Sequence, residues 1–257
     1  MPRVIYERNP LYEVTLQIKF PTILRISSEA PATFQDQIKS KFPNYRQEIQ
    51  NTQEISLFPN QGNVPPLFRN ISSNKIYLFI SEDGKYKVSL ASSFVSLSTL
   101  EYKHWKSFFE MFENVLETFI DIYHQDKFNR IGLRYIDVFD REKLELTDKK
   151  WSDLIAKPWI GNLSLENESN MLASSVNEEL KLDEGTRRKV TSRLANQNGK
   201  QCFVIDSDFI YTNQMLFEDW KQKCEMLHNY SDEFYQTTTT DVLKTAMHPQ
   251  IEGEPTT

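Results

Sequence analysis

The sequence predicts an α+β fold, in which an antiparallel sheet carries long amphipathic helices packed on one face. Three features of the chain indicate it. Apolar and polar residues alternate strictly over residues 12–20, as in a half-buried strand. Apolar residues recur at helical spacing over residues 105–123, and Asp83-Gly84 supplies the tight turn of a hairpin. Each half of the chain therefore runs strands first and a long amphipathic helix afterwards.

Residues 1–140 form the predicted N-terminal half, which begins with the alternating strand. Its inward face is apolar: Tyr12, Val14, Leu16, Ile18 and Phe20. Pro21 ends this strand because proline has no amide hydrogen to donate to a sheet. A short helix over residues 31–42 follows, with Phe34, Ile38 and Phe42 on one face. Residues 44–70 are polar and contain three prolines, which indicates a weak strand at "EISLF" and a long loop.

The hairpin at Asp83-Gly84 joins two β-rich runs, the second of which continues to Leu97. Ser98-x-x-Glu101 then has the spacing of a capping box and predicts the start of the long helix. The run "RIGLRYIDVF", residues 130–139, is predicted as the strand that closes this half.

The remaining chain is predicted as a linker, a C-terminal half and a tail. Residues 141–170 are charged and irregular, with a short helix ended by Pro158, and are the linker candidate. Residues 171–250 hold three strands, at 171–182, 187–196 and 202–210, and then one interrupted helix or two. Asn198-Gly199 marks a hairpin between the last two strands. Residues 251–257 are a tail, and fraying is expected from His248 onward. The pattern leaves open whether the two halves share one sheet.

Composition excludes several classes of protein. The net charge is −6 and the pI is near 5.4, which argues against dedicated duplex-DNA binding. Cys202 and Cys224 are isolated, so neither a disulfide scaffold nor a cysteine-based zinc site is expected, and a reducing cytoplasm fits best. The sequence shows no signal peptide and no apolar run long enough to span a membrane, so no membrane partner is expected.

Motifs for common chemistry are also missing from the sequence. The 7 glycines are scattered, and no phosphate-binding loop or nucleophile elbow occurs, so no cofactor and no catalytic residue are assigned. None of the four histidines has metal-ligand spacing, and buried or helix-capping roles are expected for all of them: His104, His124, His228 and His248.

Two acidic patterns are weak candidates for a metal site. Asp206 and Asp208 lie two residues apart on a predicted strand, so both carboxylates share one face and could bridge a divalent ion. Glu179-x-Lys181 has the spacing found in metal-dependent nucleases. Solvated acidic strand faces are common, however, and this spacing arises by chance in charged proteins.

Basic residues give the stronger binding candidates. Arg187, Lys189 and Arg193 share one face of a predicted strand, which suggests a patch for RNA, single-stranded DNA or an acidic partner. The patch lacks the aromatic residues that a base-stacking platform uses, and paired surface charges are the competing interpretation. Arg130 and Arg134 flank Gly132 on another strand. Pairing with carboxylates inside the sheet, for instance with Glu13, is favoured over an anion site for these two.

The residues also resemble a known family. "NPLYEVTLQIKFP", "PATFQDQIKSKFP", the W-x-x-F of Trp105 and Phe108, and "RIGLRYID" are similar to motifs of a sporadically distributed prokaryotic family of about 250 residues. Lys19 departs from the family pattern, which more often has arginine there. The resemblance implies no particular activity or catalytic residue. The patchy distribution of the family implies an association with toxin–antitoxin or phage-defence genes.

The function expected from these observations is non-enzymatic. The chain is predicted to be a binding protein that uses a sheet face or groove against a protein partner, in its most concrete form a subunit of a toxin–antitoxin or phage-defence system. A nucleic-acid-binding module with a basic sheet face is the first alternative, and a metal-dependent nuclease is the second. Exposed strand edges leave homo-oligomerisation open.

Overall fold

The computed structural model describes residues 4–54, 70–164, 168–197 and 199–251. The strands are β1 Val4–Tyr6, β2 Leu11–Lys19, β3 Asn44–Glu54, β4 Asn70–Ile80, β5 Tyr86–Ala91, β6 Phe94–Thr99, β7 Lys127–Phe128, β8 Arg130–Phe139, β9 Ser174–Asp183, β10 Thr186–Gln197, β11 Lys200–Tyr211, β12 Met215–Leu216 and β13 Pro249–Ile251. The α-helices are α1 Leu24–Ser28, α2 Ala32–Ile38, α3 Trp105–Tyr123, α4 Trp151–Leu154, α5 Lys157–Ile160, α6 Trp220–Thr238 and α7 Asp241–Ala246. Short 3-10 turns lie at Gly161–Ser164, Glu168–Asn170 and Phe217–Asp219.

One antiparallel sheet of nine strands dominates the structure, in the order β3-β4-β5-β6-β2-β8-β11-β10-β9. The predicted α+β class is therefore confirmed. Strand β8 pairs with β2 on one side and with β11 on the other, so "RIGLRYIDVF" is the junction between the two halves of the chain. Both halves share this single sheet.

The apolar face of the sheet follows from the alternation seen in the sequence. Val14, Leu16 and Ile18 of β2 are fully buried, and they stand opposite inward-facing residues of β8. Helix α3 packs against β6, and α6 packs against β8 and β11. The ring of Phe112 on α3 meets that of Trp220 on α6 at 5.9 Å, so the two long helices cover the same face. The opposite face of the sheet is called the distal face below.

The predicted loop between residues 44 and 54 is wrong. These residues form β3, an edge strand that pairs with β4 along its whole length. Its residues are mostly polar, and its apolar residues Tyr45 and Ile49 are exposed, so the segment lacks the apolar alternation that marks a half-buried strand. Residues 55–69, with most of the predicted "EISLF" strand, lie outside the described residues. The run to Leu97 is likewise two strands, because the chain turns at Ser92 and Ser93 between β5 and β6.

The predicted capping box is also wrong. Ser98 is buried within β6, where it stands opposite Thr15 of β2. Helix α3 begins at Trp105, and its N-cap residue His104 makes no side-chain capping bond. Glu101 instead forms an ion pair of 2.7 Å with Lys85. Ser98 lies at the end of a strand, and Glu101 lies in the turn that follows. A serine and a glutamate at this spacing look the same in the sequence as the start of a helix.

The segment predicted as a linker packs into the core. Trp151, Leu154, Ile155 and Ile160 are all essentially buried and belong to the same hydrophobic cluster as the sheet. The ring of Trp151 lies 5.5 Å from that of Phe203 on β11. The apolar side chains in this charged segment pack into the core. Its charged side chains remain on the outer side, in contact with water.

The C-terminal elements follow the prediction except at the end of the chain. Strands β9, β10 and β11 are antiparallel, and Gly199 has the positive φ of 81° that the turn before β11 requires; Asn198 lies outside the described residues. Helix α6 ends within the threonine run, and the Thr240 hydroxyl caps α7 by accepting a bond from the Leu243 amide. Residues 249–251 do not fray as expected, because β13 pairs with β1; residues 252–257 lie outside the described residues.

Within the described ranges, no helix is both long and apolar enough to cross a bilayer.

Candidate functional site

A cavity of about 130 Å³ lies on the helix-covered side of the sheet, between the sheet and α6. Its walls come from distant parts of the chain: β1, residues 102–105 at the start of α3, β8, β11 and α6. Aromatic side chains make up much of the lining, and Asp137 of β8 reaches it from the sheet. We call it the Asp137 cavity.

Asp137 faces the cavity because of the strand period. It shares a face of β8 with Tyr135 and Phe139, two residues on either side, and that face is the buried one. Its side chain is only 4% exposed. The Oδ1 atom has no hydrogen-bond partner among the described residues. Burial raises the pKa of this carboxyl from its usual 3.8 to about 7, because an ionised group loses its hydration inside the protein.

A β-bulge in β2 lies directly beside Asp137. Leu11 stands opposite Asp137 and Glu13 opposite Ile136, so Tyr12 is an extra residue in β2. Tyr12 is 52% exposed, which corrects the expectation that it faces the core. The bulge interrupts the regular pairing of β2 with β8 between Ile136 and Asp137. Bulges are frequent next to functional sites, because the extra residue bends the strand and changes the direction in which neighbouring side chains point.

Aromatic rings form much of the remaining cavity wall. The Tyr135 hydroxyl and His228 Nδ1 are hydrogen-bonded at 3.0 Å. His228 stacks on Trp105, with ring centroids 4.2 Å apart and planes at 18°. Tyr6 of β1 approaches Tyr235 of α6 at 5.8 Å. These contacts join β1, α3, β8 and α6 around one space, and the aromatic part of the wall consists of rigid side chains with few rotatable bonds.

The cavity phenols are held neutral by their surroundings. Burial raises the pKa of Tyr135 well above its usual range, and the neighbouring Tyr102 phenol adds to the effect. Burial and then the charge of Asp137 raise the pKa of Tyr235 in the same way. At neutral pH both rings therefore present uncharged hydroxyls and apolar faces to a ligand.

The four histidines divide between structural positions and the cavity. His104 is the N-cap residue of α3, and His124 is its C-cap in the left-handed conformation, with a φ of 53°. His228 is half-buried in the cavity wall. His248 is neither buried nor a cap, because it is exposed in the turn before β13 and follows Met247, the C-cap of α7. Its Nδ1 atom lies 3.2 Å from a carboxylate oxygen of Glu7.

Arg130 and Arg134 on the distal face of β8 are paired with carboxylates inside the sheet. Arg134 donates from Nε and Nη2 to the two oxygens of Asp206, at 2.7 and 2.5 Å. Arg130 donates from Nη2 to Asp208 at 3.1 Å and from Nη1 to Gln17 at 2.9 Å. Internal pairing was the favoured prediction, but the partners are aspartates of β11. Glu13, the partner suggested from the sequence, accepts a bond from Thr15.

The predicted basic patch on β10 is largely neutralised. Lys189 and Arg187 lie 3.1 and 3.5 Å from oxygens of the Glu179 carboxylate on β9. Arg193 is exposed and has no ion pair within the described part of the chain. Arg188 points to the helix side, where its guanidinium lies 4.6 Å from the centre of the Phe234 ring. Arg187, Arg188 and Lys189 therefore join β10 to acids of β9 and support the register of that pair of strands.

The weak metal candidates do not assemble into a site. Asp206 and Asp208 accept arginine donors, and the arginine charge at the same oxygens disfavours a divalent ion. Glu179 and Asp208 both stand opposite Lys189, so they are two strands apart, roughly 10 Å, and too far to share one ion. Among the described residues, no group of three or more His, Cys, Asp or Glu side chains is placed to hold a metal. Cys202 and Cys224 are buried and unpaired.

Asp137 was not predicted as a site residue, although the strand that carries it was predicted. The available signal was an acid at an inward position of the alternation, between Tyr135 and Phe139. An ionisable residue at a core position of a strand is rare unless it is paired or functional.

No protein-family model matches the chain, and no curated protein sequence matches it either.

Proposed function

We propose that the protein is a non-enzymatic binding protein that takes a small organic molecule into the Asp137 cavity. One observation carries the proposal: a buried carboxyl with an unpartnered oxygen opens on an aromatic-lined cavity. A concave, mostly apolar space with a few convergent polar groups is the usual form of a small-molecule site. Titratable groups with strongly shifted pKa values concentrate at such sites.

The arrangement around Asp137 has a cost that ligand binding would offset. A buried polar atom without a hydrogen-bond partner destabilises a fold by about 1–3 kcal/mol. A purely structural acid at this position would be expected to have donors around it, as Asp206 has from Arg134. A ligand that donates to Asp137 supplies the missing bond, and the binding free energy includes the relief of that cost.

The volume limits the ligand to about one ring. A dry cavity of about 150 Å³ in another protein holds a benzene molecule, and the Asp137 cavity is similar, at about 130 Å³. Ser231 of α6 is a suitable place to fill the space, because it is buried and lies in the wall. Replacing it with phenylalanine puts a ring where a ligand would sit.

The experiment is ligand-observed NMR with a set of one-ring fragments, followed by amide shift mapping on the labelled protein. We expect binding to the native chain, with the largest shifts at Tyr135, Asp137 and His228. Ser231→Phe should lose the binding, whereas Ser107→Phe, on an exposed position of α3, should keep it. Shifts confined to other parts of the chain, or no bound fragment, would contradict the proposal even if the filled variant fails to fold.

A second candidate function, docking of an acidic protein partner, is favoured by the charge of the distal face. The strands from β2 to β9 place eight cations and four acids there, a net charge of +4 on a chain whose total is −6. The cations are Lys19, Arg130, Arg134, Lys181, Arg187, Lys189, Arg193 and Lys200, and the acids are Glu13, Glu179, Asp206 and Asp208. Burial and the charge of Arg130, which stands directly opposite, lower the pKa of Lys19.

The interspersed acids favour a protein partner over nucleic acid, because each repels phosphate, and the basic face of β10 carries no aromatic residue on which a base could stack. A toxin–antitoxin or phage-defence subunit is the most concrete form of this candidate, and it rests on the family resemblance. Fluorescence anisotropy with an oligoglutamate peptide and with oligothymidylate, each over a range of salt, tests it. Binding of the peptide that is lost in Lys19→Glu and Arg193→Glu supports docking. Tighter binding of the oligonucleotide would favour the nucleic-acid alternative, and binding of neither would remove both.

A further inference from the structure

We infer that the ligand of the Asp137 cavity is a small organic cation, an amine or amidine carried on about one ring. The inference rests on the proposed function and names its ligand class. Three observations support it: the buried negative charge of Asp137, the Oδ1 atom of that residue without a hydrogen-bond partner, and the aromatic residues in the cavity wall.

The charges that line the cavity are arranged by depth. Asp137 is essentially buried, and Asp232 of α6 is half-buried. The lining cation Lys103 is exposed, so water screens its charge at the rim. An interaction in the low-dielectric interior is much stronger than one at the rim. The charge that a ligand meets at full depth is therefore the negative charge of Asp137.

The carboxyl of Asp137 lacks the partner that a cation would provide. Its Oδ1 has no hydrogen bond among the described residues. An ammonium or amidinium N–H donates a charge-assisted bond to a carboxylate, roughly twice as strong as a bond between neutral groups. An amidinium can also engage both carboxylate oxygens at once, as Arg134 does with Asp206 on the distal face.

The walls suit a cation and not only an apolar ring. Tyr6, Tyr102, Trp105, Tyr135 and Tyr235 all line the cavity. The face of an aromatic ring attracts a cation within about 6 Å of its centre, with a gain of ~0.5–2 kcal/mol that grows when water is excluded. Burial raises the pKa of Tyr6, Tyr135 and Tyr235, so these phenols are neutral near pH 7 and place no negative charge of their own beside the ligand. A carboxylate beside several aromatic faces is the arrangement that recognises organic ammonium groups.

Protonation of Asp137 gives the inference its sharpest test. Burial raises the pKa of this carboxyl to about 7, so a cation that binds the carboxylate must displace a proton below that pH. The other titratable groups that face the cavity are Tyr6 from β1, Tyr102, Lys103 and His104 before α3, Tyr135 from β8, and His228, Asp232 and Tyr235 from α6. Only a variant at Asp137 itself separates its titration from the pH response of the other groups in the wall.

Calorimetric titration of four probes tests the inference: benzylamine against benzyl alcohol, and benzamidine against benzamide. Each pair has the same size and differs in charge. We expect the native protein to bind the charged member at least about tenfold more tightly at about pH 8. Its affinity should fall about tenfold between about pH 8 and about pH 6, as the ionised fraction of Asp137 falls, while the affinity of the neutral member stays constant or rises.

Two variants complete the test. Asp137→Asn should lose the preference for the charged member and its pH dependence, while still binding the neutral member. Asp121→Asn, at an exposed acid of α3 outside the cavity wall, should keep both. If the neutral member binds as tightly as the charged one to the native protein, the inference is overturned and the proposed function survives. If none of the four probes binds and the fragment set also fails, the proposed function falls with it.

Discussion

The guanidinium of Arg130 lies on the backbone of Gly132. Its Nη1 and Nη2 atoms are each 2.8 Å from the position that a Cβ on residue 132 would occupy. The side chain therefore folds back along its own strand, where it reaches Asp208 on β11 and Gln17 on β2. Because Gly132 has no side chain, the guanidinium of Arg130 can lie against the backbone of β8. Arg130 thereby links β8 to its two neighbours, β2 and β11.

Replacing Gly132 with alanine should displace that guanidinium. The arginine would lose its bonds to Asp208 and Gln17, and the half-buried Asp208 carboxylate would lose its partner. We expect a loss of about 1–3 kcal/mol in the free energy of unfolding, reduced by the ~0.5–1 kcal/mol that alanine gains over glycine in a strand. Urea unfolding measures it. In an Arg130→Met background the alanine should cost less, because no guanidinium is displaced; an equal cost in both backgrounds would refute the argument.

The raised pKa of Asp137 predicts how stability depends on pH. The folded value of about 7 lies above the usual 3.8, so between these pH values the unfolded chain has released the proton and the folded protein has not. Stability from this group is then fully present below about pH 4 and declines as pH rises to about 7. The shift corresponds to about 4 kcal/mol, at about 1.4 kcal/mol for each pKa unit.

Asp137→Asn should remove that decline. We expect the free energy of unfolding of the variant to exceed that of the native protein above pH 7 and to approach or fall below it near pH 4, as followed by urea unfolding over the pH range. Asp121→Asn is the control, because this acid is exposed on α3, away from the cavity, and should leave the decline unchanged. A variant with the same pH dependence as the native protein would show that Asp137 titrates normally.

The bidentate pair of Arg134 and Asp206 should contribute little to stability despite its short bonds. The two side chains are 49% and 29% exposed, so water and salt weaken their attraction. A double-mutant cycle with Arg134→Met and Asp206→Asn should give a coupling of about 0.5–1 kcal/mol that shrinks in high salt. A coupling several times larger would mean that the distal face is shielded from solvent at this pair.

Much of the sheet could be predicted because its central strands carry a one-sided apolar pattern. Strands β2 and β8 and helix α3 have clear periods, and tight-turn residues mark the β4–β5 and β10–β11 hairpins. Strand β3 was missed because an edge strand in water needs no apolar face. The Ser98-x-x-Glu101 spacing misled because serine and glutamate near a strand end resemble a helix start.

The Asp137 cavity could not be predicted from local pattern. Its walls come from β1 near one end of the chain, α6 near the other and β8 between them, and only the three-dimensional packing brings these together. The inward acid was visible in the sequence, but its lack of a partner depends on every neighbour. The pairing of Arg130 and Arg134 with carboxylates inside the sheet could be predicted from the sequence. That their partners lie on β11 depends on the order of the strands in the sheet, which local pattern does not give.

The segment predicted as a linker gives a last test, because its packing makes it part of the cooperative core. Trp151 is fully buried, the Arg141 guanidinium lies 4.5 Å from the centre of its ring, and its backbone amide donates to Glu168 at 2.7 Å. Trp151→Ala should therefore cost about 3–5 kcal/mol, since it removes a large side chain from a packed site. Leu172→Ala is the control, because Leu172 is 99% exposed, and it should change stability by less than about 0.5 kcal/mol. Denaturant unfolding followed by both tryptophan fluorescence and circular dichroism should give one coincident transition for the native chain. Two separate transitions, with only one of them shifted by Trp151→Ala, would instead mean that the halves unfold independently and that residues 141–164 stabilise just one of them.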